Sequence, residues 1–217
     1  NQSRMATGVF GPASEGVVIV AGKEVSEPVS IVGMAFQNPT MLPWLTIERN
    51  VMLPLKIVEP FRSSWRAKRR TESRDRAHAL LDEVGLSGFA GHYPWQLSGG
   101  MQQRANLCRA LIHEPELIML DEPFGALDAF TREELWMVIR DIHAQKGITI
   151  VLVTHDLREA AYLADRVVVM TARPGKVKLE REVPFDRPRP LDLMYEKPFV
   201  DLVHQLRAEI AEARVAA

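Results

Sequence analysis

One cysteine, Cys108, in 217 residues excludes an intrachain disulfide and a zinc–cysteine cluster. No apolar run approaches the ~18 residues that a membrane-spanning helix needs. There is no excess of either charge: 27 Lys+Arg stand against 28 Asp+Glu, for a net charge of −1. Nucleic-acid binders usually carry a basic surplus, so nucleic acid is not an expected partner. Internal repeats and low-complexity linkers are also missing. So is the phosphate-binding loop Gly-x4-Gly-Lys-Ser/Thr. Gly16 to Gly22-Lys23-Glu24 has five apolar residues between its glycines and ends in Glu. It reads as a strand with a hairpin turn at Gly22-Lys23. Gly175-Lys176 runs into Val177 and fails as well. The expectation is a soluble α/β protein, long enough to bury a real core.

The pattern along the chain changes character twice. Residues 16–22 and Ser30 to Phe36 read as buried strands bounded by Gly or Pro. Pro39, Pro43, Pro54 and Pro60 then allow only short helices. Ser73 to Val84 reads as a helix with Ala77, Leu80, Leu81 and Val84 on one face and Gly85 as its cap. A further helix starts at Ser98, buries Met101, Ala105, Cys108, Leu111 and Ile112, and stops before Pro115. From Leu117 strands and helices alternate. Leu117–Leu120 is a strand and Thr131 to Gln145 a helix, with Thr131 and Glu134 spaced as a capping box and Gly147 beyond its end. Thr149–Val153 is a strand, Leu157–Ala164 a helix and Arg166–Met170 a third strand. Arg173-Pro174-Gly175 reads as a turn and Tyr195–Ala213 as a closing helix. The alternation predicts a parallel sheet with helices on its faces, and the segment from Met41 to Glu114 an all-helical lobe inserted into it.

Two segments carry chemistry. In Leu97-Ser98-Gly99-Gly100-Met101-Gln102-Gln103-Arg104 a hydroxyl and two glycines open a helix, where outward amides and the helix dipole suit a phosphate. A plain serine N-cap with a flexible glycine pair is the alternative. Leu117-Ile118-Met119-Leu120-Asp121-Glu122-Pro123 is an apolar strand ending in two acids. Asp121 could hold Mg²⁺ through water and Glu122 could polarise an attacking water, although Asp-Glu-Pro also suits a solvated turn. His155 closes the apolar strand Ile150–Thr154 and could donate to a phosphate, or be a structural histidine. Gln37 directly follows a strand and means nothing in isolation. Asp128 is a candidate N-cap or turn residue. The other histidines show no metal-ligand spacing, and Cys108 falls on an apolar face.

Gln37, the Leu97–Arg104 segment, the Leu117–Pro123 segment, Gly125-Ala126-Leu127-Asp128 and His155 follow one another in the order and approximate spacing of an ABC-type ATPase. They resemble its Q-loop, signature, Walker B, D-loop and switch histidine, and the similarity covers essentially the whole chain. The resemblance implies a P-loop NTPase fold, a RecA-like parallel sheet with an inserted all-α lobe, here without its first strands and P-loop. It implies ATP and Mg²⁺ as ligands. The roles it implies are catalytic for Glu122, His155 and Gln37, Mg²⁺ binding through water for Asp121 and Gln37, and ATP contact for Ser98, Gly99, Gly100, Gln102 and Asp128. The signature would reach ATP held by a second copy, in a homodimer. Asn1–Val9 resembles the end of the helix that follows the P-loop, and position 1 is not Met. The sequence is therefore expected to be N-terminally incomplete rather than to come from a lineage that lost the loop. The missing segment would also supply an adenine-stacking aromatic and a central strand.

Gln37-Asn38-Pro39-Thr40-Met41-Leu42-Pro43-Trp44-Leu45-Thr46, the Arg173–Val177 turn and Phe185-Asp186-Arg187-Pro188-Arg189-Pro190 resemble importers for nitrate, sulfonate, taurine and related solutes. Leu42, Pro43, Trp44 and Leu45 form an apolar knot suited to dock a membrane subunit, or else to pack the lobe. The run from Arg62 to Arg76 holds seven basic residues against Glu72 and Asp75; a solvated helix face is its ordinary explanation, anionic lipid the other. The divisions implied are residues 1–40 (remnant of the nucleotide core), 41–114 (signature lobe), 115–183 (RecA-like core) and 184–217 (family tail). Two permease subunits, and indirectly a substrate-binding protein, are the implied partners. The implied location is cytoplasmic, on the inner face of the membrane. About sixty residues between Gln37 and Ser98 leave no room for the long coiled coil of DNA-repair relatives. The remaining alternatives are a structural partner of another ABC ATPase and a non-transport ABC ATPase.

Overall fold

The computed structural model describes residues 19–20, 22–24, 31–171 and 175–215. The Asn1–Val9 segment, most of the strand expected over 16–22, Ser30, and Arg173-Pro174 of the turn lie outside the described residues. The chain divides into two units, Asn1–Leu135 with Lys146–Val153, and Trp136–Gln145 with Thr154–Ala217.

In the first unit, β1 (Ile19–Val20) and β2 (Lys23–Glu24) pair as an antiparallel hairpin. Gly22 sits in its turn at φ 73°, so the phosphate-loop lookalike is a hairpin. The main sheet has three parallel strands in the order β3 (Val32–Phe36), β4 (Leu117–Asp121), β5 (Thr149–Val153). The central strand is the most apolar, with Ile118, Met119 and Leu120 buried, as a strand covered on both faces requires. Between β3 and β4 the chain is helical throughout. Its helices are α1 (Ile47–Val51), α2 (Phe61–Lys68), α3 (Glu72–Glu83) and α4 (Gly99–Leu111), with single 3-10 turns at Leu53–Lys56 and Pro94–Gln96. The prolines do keep the first helices short. Ile47, Val51, Leu55, Ala77, Leu81, Leu107 and Cys108 form the core of this lobe. Burial pushes the Cys108 thiol far above its usual range, so it is a packing residue. α5 (Ala129–Lys146) follows β4, with Gly147 beyond it at φ 61°.

The second unit holds α6 (Leu157–Leu163), β6 (Arg166–Met170), β7 (Val177–Glu182), a 3-10 turn at Leu191–Tyr195 and α7 (Lys197–Val215). Tyr162, Val167, Val169, Met194, Phe199 and Leu206 are its buried centre. Among the described residues no helix is long and apolar enough to cross a membrane.

Three expectations are corrected. Arg166–Met170 does not extend the parallel sheet but pairs antiparallel with β7. Its burial alternates, Val167 and Val169 in and Val168 out, and three consecutive valines hid that alternation. Thr131 and Glu134 form no capping box. Asp128 caps α5 instead, its Oδ1 accepting from the Thr131 amide (3.1 Å) and its Oδ2 from the Thr131 hydroxyl (2.6 Å), while Glu134 pairs with Arg104. Met101 lies in the first turn of α4 and is only half-buried, whereas the polar Gln103 and Asn106 are buried.

Candidate functional site

The carboxyl ends of the three parallel strands come level, with Phe36 opposite Asp121 and Asp121 opposite Val153. Ligands of open parallel sheets bind outside such ends. Glu122 leaves β4 at φ 45°, a left-handed conformation that costs a glutamate on the order of 1 kcal/mol or more. Its amide donates to the Val153 carbonyl at 2.8 Å, which holds the bend against β5. Gly125 follows, and the Gln37 amide lies against it: a Cβ there would stand 3.0 Å from Gln37 Nε2. Gln37, Asp121 and Glu122 thus share one strand edge, and both acids are partly accessible.

Ser98 caps α4, its hydroxyl accepting from the Met101 amide at 3.3 Å. Gln102 donates to the carbonyls of Pro94 (2.9 Å) and Leu97 (3.2 Å), so its amide shapes the turn into the helix. The two glycines differ. A Cβ on the buried Gly100 would fall 2.2 Å from Thr131 Cγ2, yet one on the exposed Gly99 would meet nothing within 4 Å. Packing therefore demands glycine at 100 and not at 99. Gly100→Ala should destabilise the fold by about 1–3 kcal/mol, because Thr131 is held by Asp128 and yields only by giving up those bonds. A thermal melt indistinguishable from the parent would refute that contact. The same two Thr131 bonds hold the exposed Asp128 carboxyl below its usual range.

Sequence reasoning missed a set of side chains on α4. Gln103 Nε2 and Asn106 Nδ2 both donate to the Phe36 carbonyl, at 3.1 and 3.2 Å. Arg109 donates to the carbonyls of Pro39 (2.5 Å) and Thr40 (3.2 Å) and to Asn106 Oδ1 (2.7 Å). Burial lowers the pKa of Arg109. The loop that carries Gln37 is thus tied to the helix that Ser98 opens. Three polar residues spaced by three on an otherwise buried face were the available signal.

Beyond Thr40 the chain turns at Pro43-Trp44, closed by Leu45 N to Leu42 O at 3.1 Å. Asn50, fully buried, braces this turn. Its Oδ1 accepts from the Leu42 amide (2.8 Å) and its Nδ2 donates to the carbonyls of Leu42, Leu45 and Thr46 (3.0–3.1 Å). Leu42 and Leu45 are half-buried and Pro43 is exposed. Trp44 stands 69 % exposed, so it is not a packing residue of the lobe.

His155 belongs to the second unit and is exposed. Beside it Thr154 donates its hydroxyl to Glu159 and accepts from the Asp156 amide at 2.9 Å, and Asp156 caps α6. The far end of α6 is held by the proline–arginine stretch. Arg189, 2 % exposed, donates to the carbonyls of Tyr162 (2.9 Å), Ala164 (2.7 Å) and Phe185 (3.0 Å), and Arg187 to that of Leu163 (2.6 Å). Those two side chains satisfy carbonyls that a helix C-terminus leaves without partners.

The sequence model described as "ABC transporter" matches residues 4–125. The aliphatic sulfonates import ATP-binding protein SsuB of Bacillus licheniformis is 41 % identical over 187 residues, 86 % of this chain and 68 % of its own length. The protein of the same name from Bacillus cereus is 39 % identical over 175 residues, 80 % of this chain and 65 % of its own. The chain thus spans about two thirds of the length of these curated relatives. Among solved structures, a dimeric post-hydrolysis state of the ATP-binding cassette MJ0796 bound to ADP and Pi matches at a TM-score of 0.66 and 31 % identity, over 82 % of this chain and 77 % of that one.

Proposed function

The chain belongs to the ABC transporter family, and from that membership we propose that it is the ATP-hydrolysing subunit of an importer for small anions of the sulfonate, nitrate or taurine kind. Its three parallel strands with an inserted helical lobe are the RecA-like fold of ABC ATPases. The observation that carries the nucleotide reading is Gly99. It is exposed at the start of α4, and nothing within the described chain needs it to be glycine. A cradle without a Cβ, facing out, fits a phosphate brought by something other than this chain.

In this reading two copies sandwich ATP. The Ser98 hydroxyl and the Gly99 and Gly100 amides meet the γ-phosphate of nucleotide held by the other copy, and Gln102 serves through the turn that it shapes. Asp121 and Gln37 would hold Mg²⁺, which would supply charge neutralisation at the phosphates. Glu122 orients the attacking water and accepts its proton, and Gln37 lies beside it. His155 donates a hydrogen bond to the γ-phosphate, and Asp128 lies at the seam between copies. The relatives' names support the importer class, and a nearly neutral chain with no membrane-spanning helix among its described residues fits a subunit that reaches the membrane through two permeases.

The test exploits the difference between the glycines, in this chain joined to a phosphate-loop segment of an ABC ATPase. Gly99→Asp fits the fold, so its melt should match the parent. It sets a like charge against the phosphate, and ATP-driven dimerisation should fall more than tenfold by analytical ultracentrifugation. Undiminished dimerisation would remove the signature from the nucleotide site. The 217-residue chain by itself should bind a fluorescent ATP analogue far more weakly than micromolar, because charge-assisted contacts to phosphate supply much of such affinity.

Leu42, Pro43, Trp44 and Leu45 are the proposed permease contact. With Trp44 exposed, Trp44→Ala should leave the melt within ~0.5 kcal/mol of the parent. Loss of an interface tryptophan commonly costs more than ~2 kcal/mol, roughly thirtyfold in affinity. Co-purification with the cognate permease reads that loss, and full retention would take Trp44 out of the contact.

A further inference from the structure

Between Lys56 and Arg76 stand eight basic residues against three acidic ones, a net +5 in a chain whose total is −1. Four of the eight are spoken for: Arg62 by Glu59, Lys68 by Glu72, Arg74 by Glu48 and Arg76 by Glu114. Arg66, Arg69 and Arg70 are exposed and have no ion-pair partner among the described residues. Arg62 and Arg66 lie one turn apart on α2, Arg69 is its C-cap and Arg70 follows in the turn, so the four cluster along and just past one end of the helix. α2 itself contains no buried residue. Ile57 is 68 % exposed just ahead of it, and Phe61 and Trp65, one and two turns on, are only half-buried. The Lys56 ammonium lies 5.4 Å over the Trp65 ring.

Folding gives this helix little to do. An arginine cluster flanked by a half-exposed tryptophan, on a helix that contributes no residue to the core, is the pattern of a segment that rests on an anionic surface. We infer that the α2 face binds the anionic phospholipid headgroups of a bilayer, with Arg66, Arg69 and Arg70 as the contacting cations and Trp65 at the headgroup level. Charge complementarity selects the occupant: three unneutralised guanidiniums fit phosphodiester groups, and their flexible, exposed spacing suits a fluid surface better than a single bound phosphate. The inference does not depend on nucleotide binding.

The experiment is flotation of the 217-residue chain with vesicles of phosphatidylcholine alone and of phosphatidylcholine with 30 mol% phosphatidylglycerol. Partition should rise at least tenfold with the anionic lipid at ~50 mM salt and be lost at ~500 mM. Each basic residue near such a surface is worth roughly fivefold, so Arg66→Glu/Arg69→Glu/Arg70→Glu should lose about a hundredfold. The melt of this triple variant should match the parent, since all three side chains are exposed. A charge-matched control, Lys176→Glu/Lys197→Glu/Arg207→Glu, changes exposed positions in the other unit and should keep most of the binding. Equal loss in the control would overturn the inference, because net charge alone would then explain the attraction. So would equal binding to both vesicles. Displacement by a short single-stranded RNA as effective as added anionic vesicles would also overturn it, in favour of a nucleic-acid surface.

Discussion

Glu122→Gln in this chain joined to a phosphate-loop segment of an ABC ATPase will stop steady-state ATP hydrolysis, by about 10²–10⁴-fold, while ATP and Mg²⁺ stay bound in a closed dimer. Glutamine keeps the shape of glutamate and removes the proposed base. The backbone need not change, since the Glu122 amide bond to Val153 and the φ of 45° are open to either residue. Trapped nucleotide on a sizing column, together with phosphate release, reads both halves of the result. Turnover at the parental rate would dismiss Glu122 as the base. The bend suggests a companion. Glu122→Gly relieves the left-handed strain and should raise stability by about 1 kcal/mol while losing turnover as fully. A Glu122→Gly protein less stable than the parent would show that the side chain, not the backbone, decides the cost of that position.

Arg189→Ala should cost about 3–5 kcal/mol of stability, the range expected when one partner of a buried, hydrogen-bonded charged network is removed. The guanidinium satisfies the carbonyls of Tyr162, Ala164 and Phe185, and its loss leaves the buried Tyr162 carbonyl and the two half-buried ones without that partner. Lysine will not rescue, since one ammonium cannot span carbonyls that a planar fork reaches at once. Burial already works against the charged form of Arg189, and Asp165 near by opposes that effect. Denaturant unfolding compared between Arg189→Ala, Arg189→Lys and the exposed Arg207→Ala separates the network from bulk charge. A cost below ~1 kcal/mol would reduce Arg189 to a surface-grade contact.

What could be read beforehand followed from periodicity and from punctuation. Ala77, Leu80 and Leu81 share a face because helices repeat every 3.6 residues, and Gly147 ends α5 because only a positive φ turns the chain there. The place of Asp121 and Glu122 at the end of β4 was legible because the apolar run stops at them. The partner of Arg166–Met170 was not legible, since three consecutive valines look the same in a buried parallel strand as in a half-exposed antiparallel one. Nor was the cap of α5: Asp128 and Thr131 are both good caps, and only the hydrogen bonds decide between them. The grip of Gln103, Asn106 and Arg109 on residues 36–40 spans about seventy positions of sequence. No local pattern encodes a pairing at that distance. Arg189 looked like part of a family tail and proved to be an anchor of the helix that follows His155.

The grip of Gln103, Asn106 and Arg109 on the loop after β3 also has a kinematic meaning. A chain bends where cross-links are absent, and three of the five residues from Phe36 to Thr40 are bonded to α4. If loop and α4 tilt together, they act as a single crank whose far end is Ser98. From Arg109 back to Ser98 the rod measures about 16 Å at 1.5 Å per residue, so a tilt of about 5° at the grip swings the Ser98 end by roughly 1.4 Å. That is half the length of a hydrogen bond. A push too small to notice at the turn would thus be enough to make or break the phosphate contact proposed for Ser98.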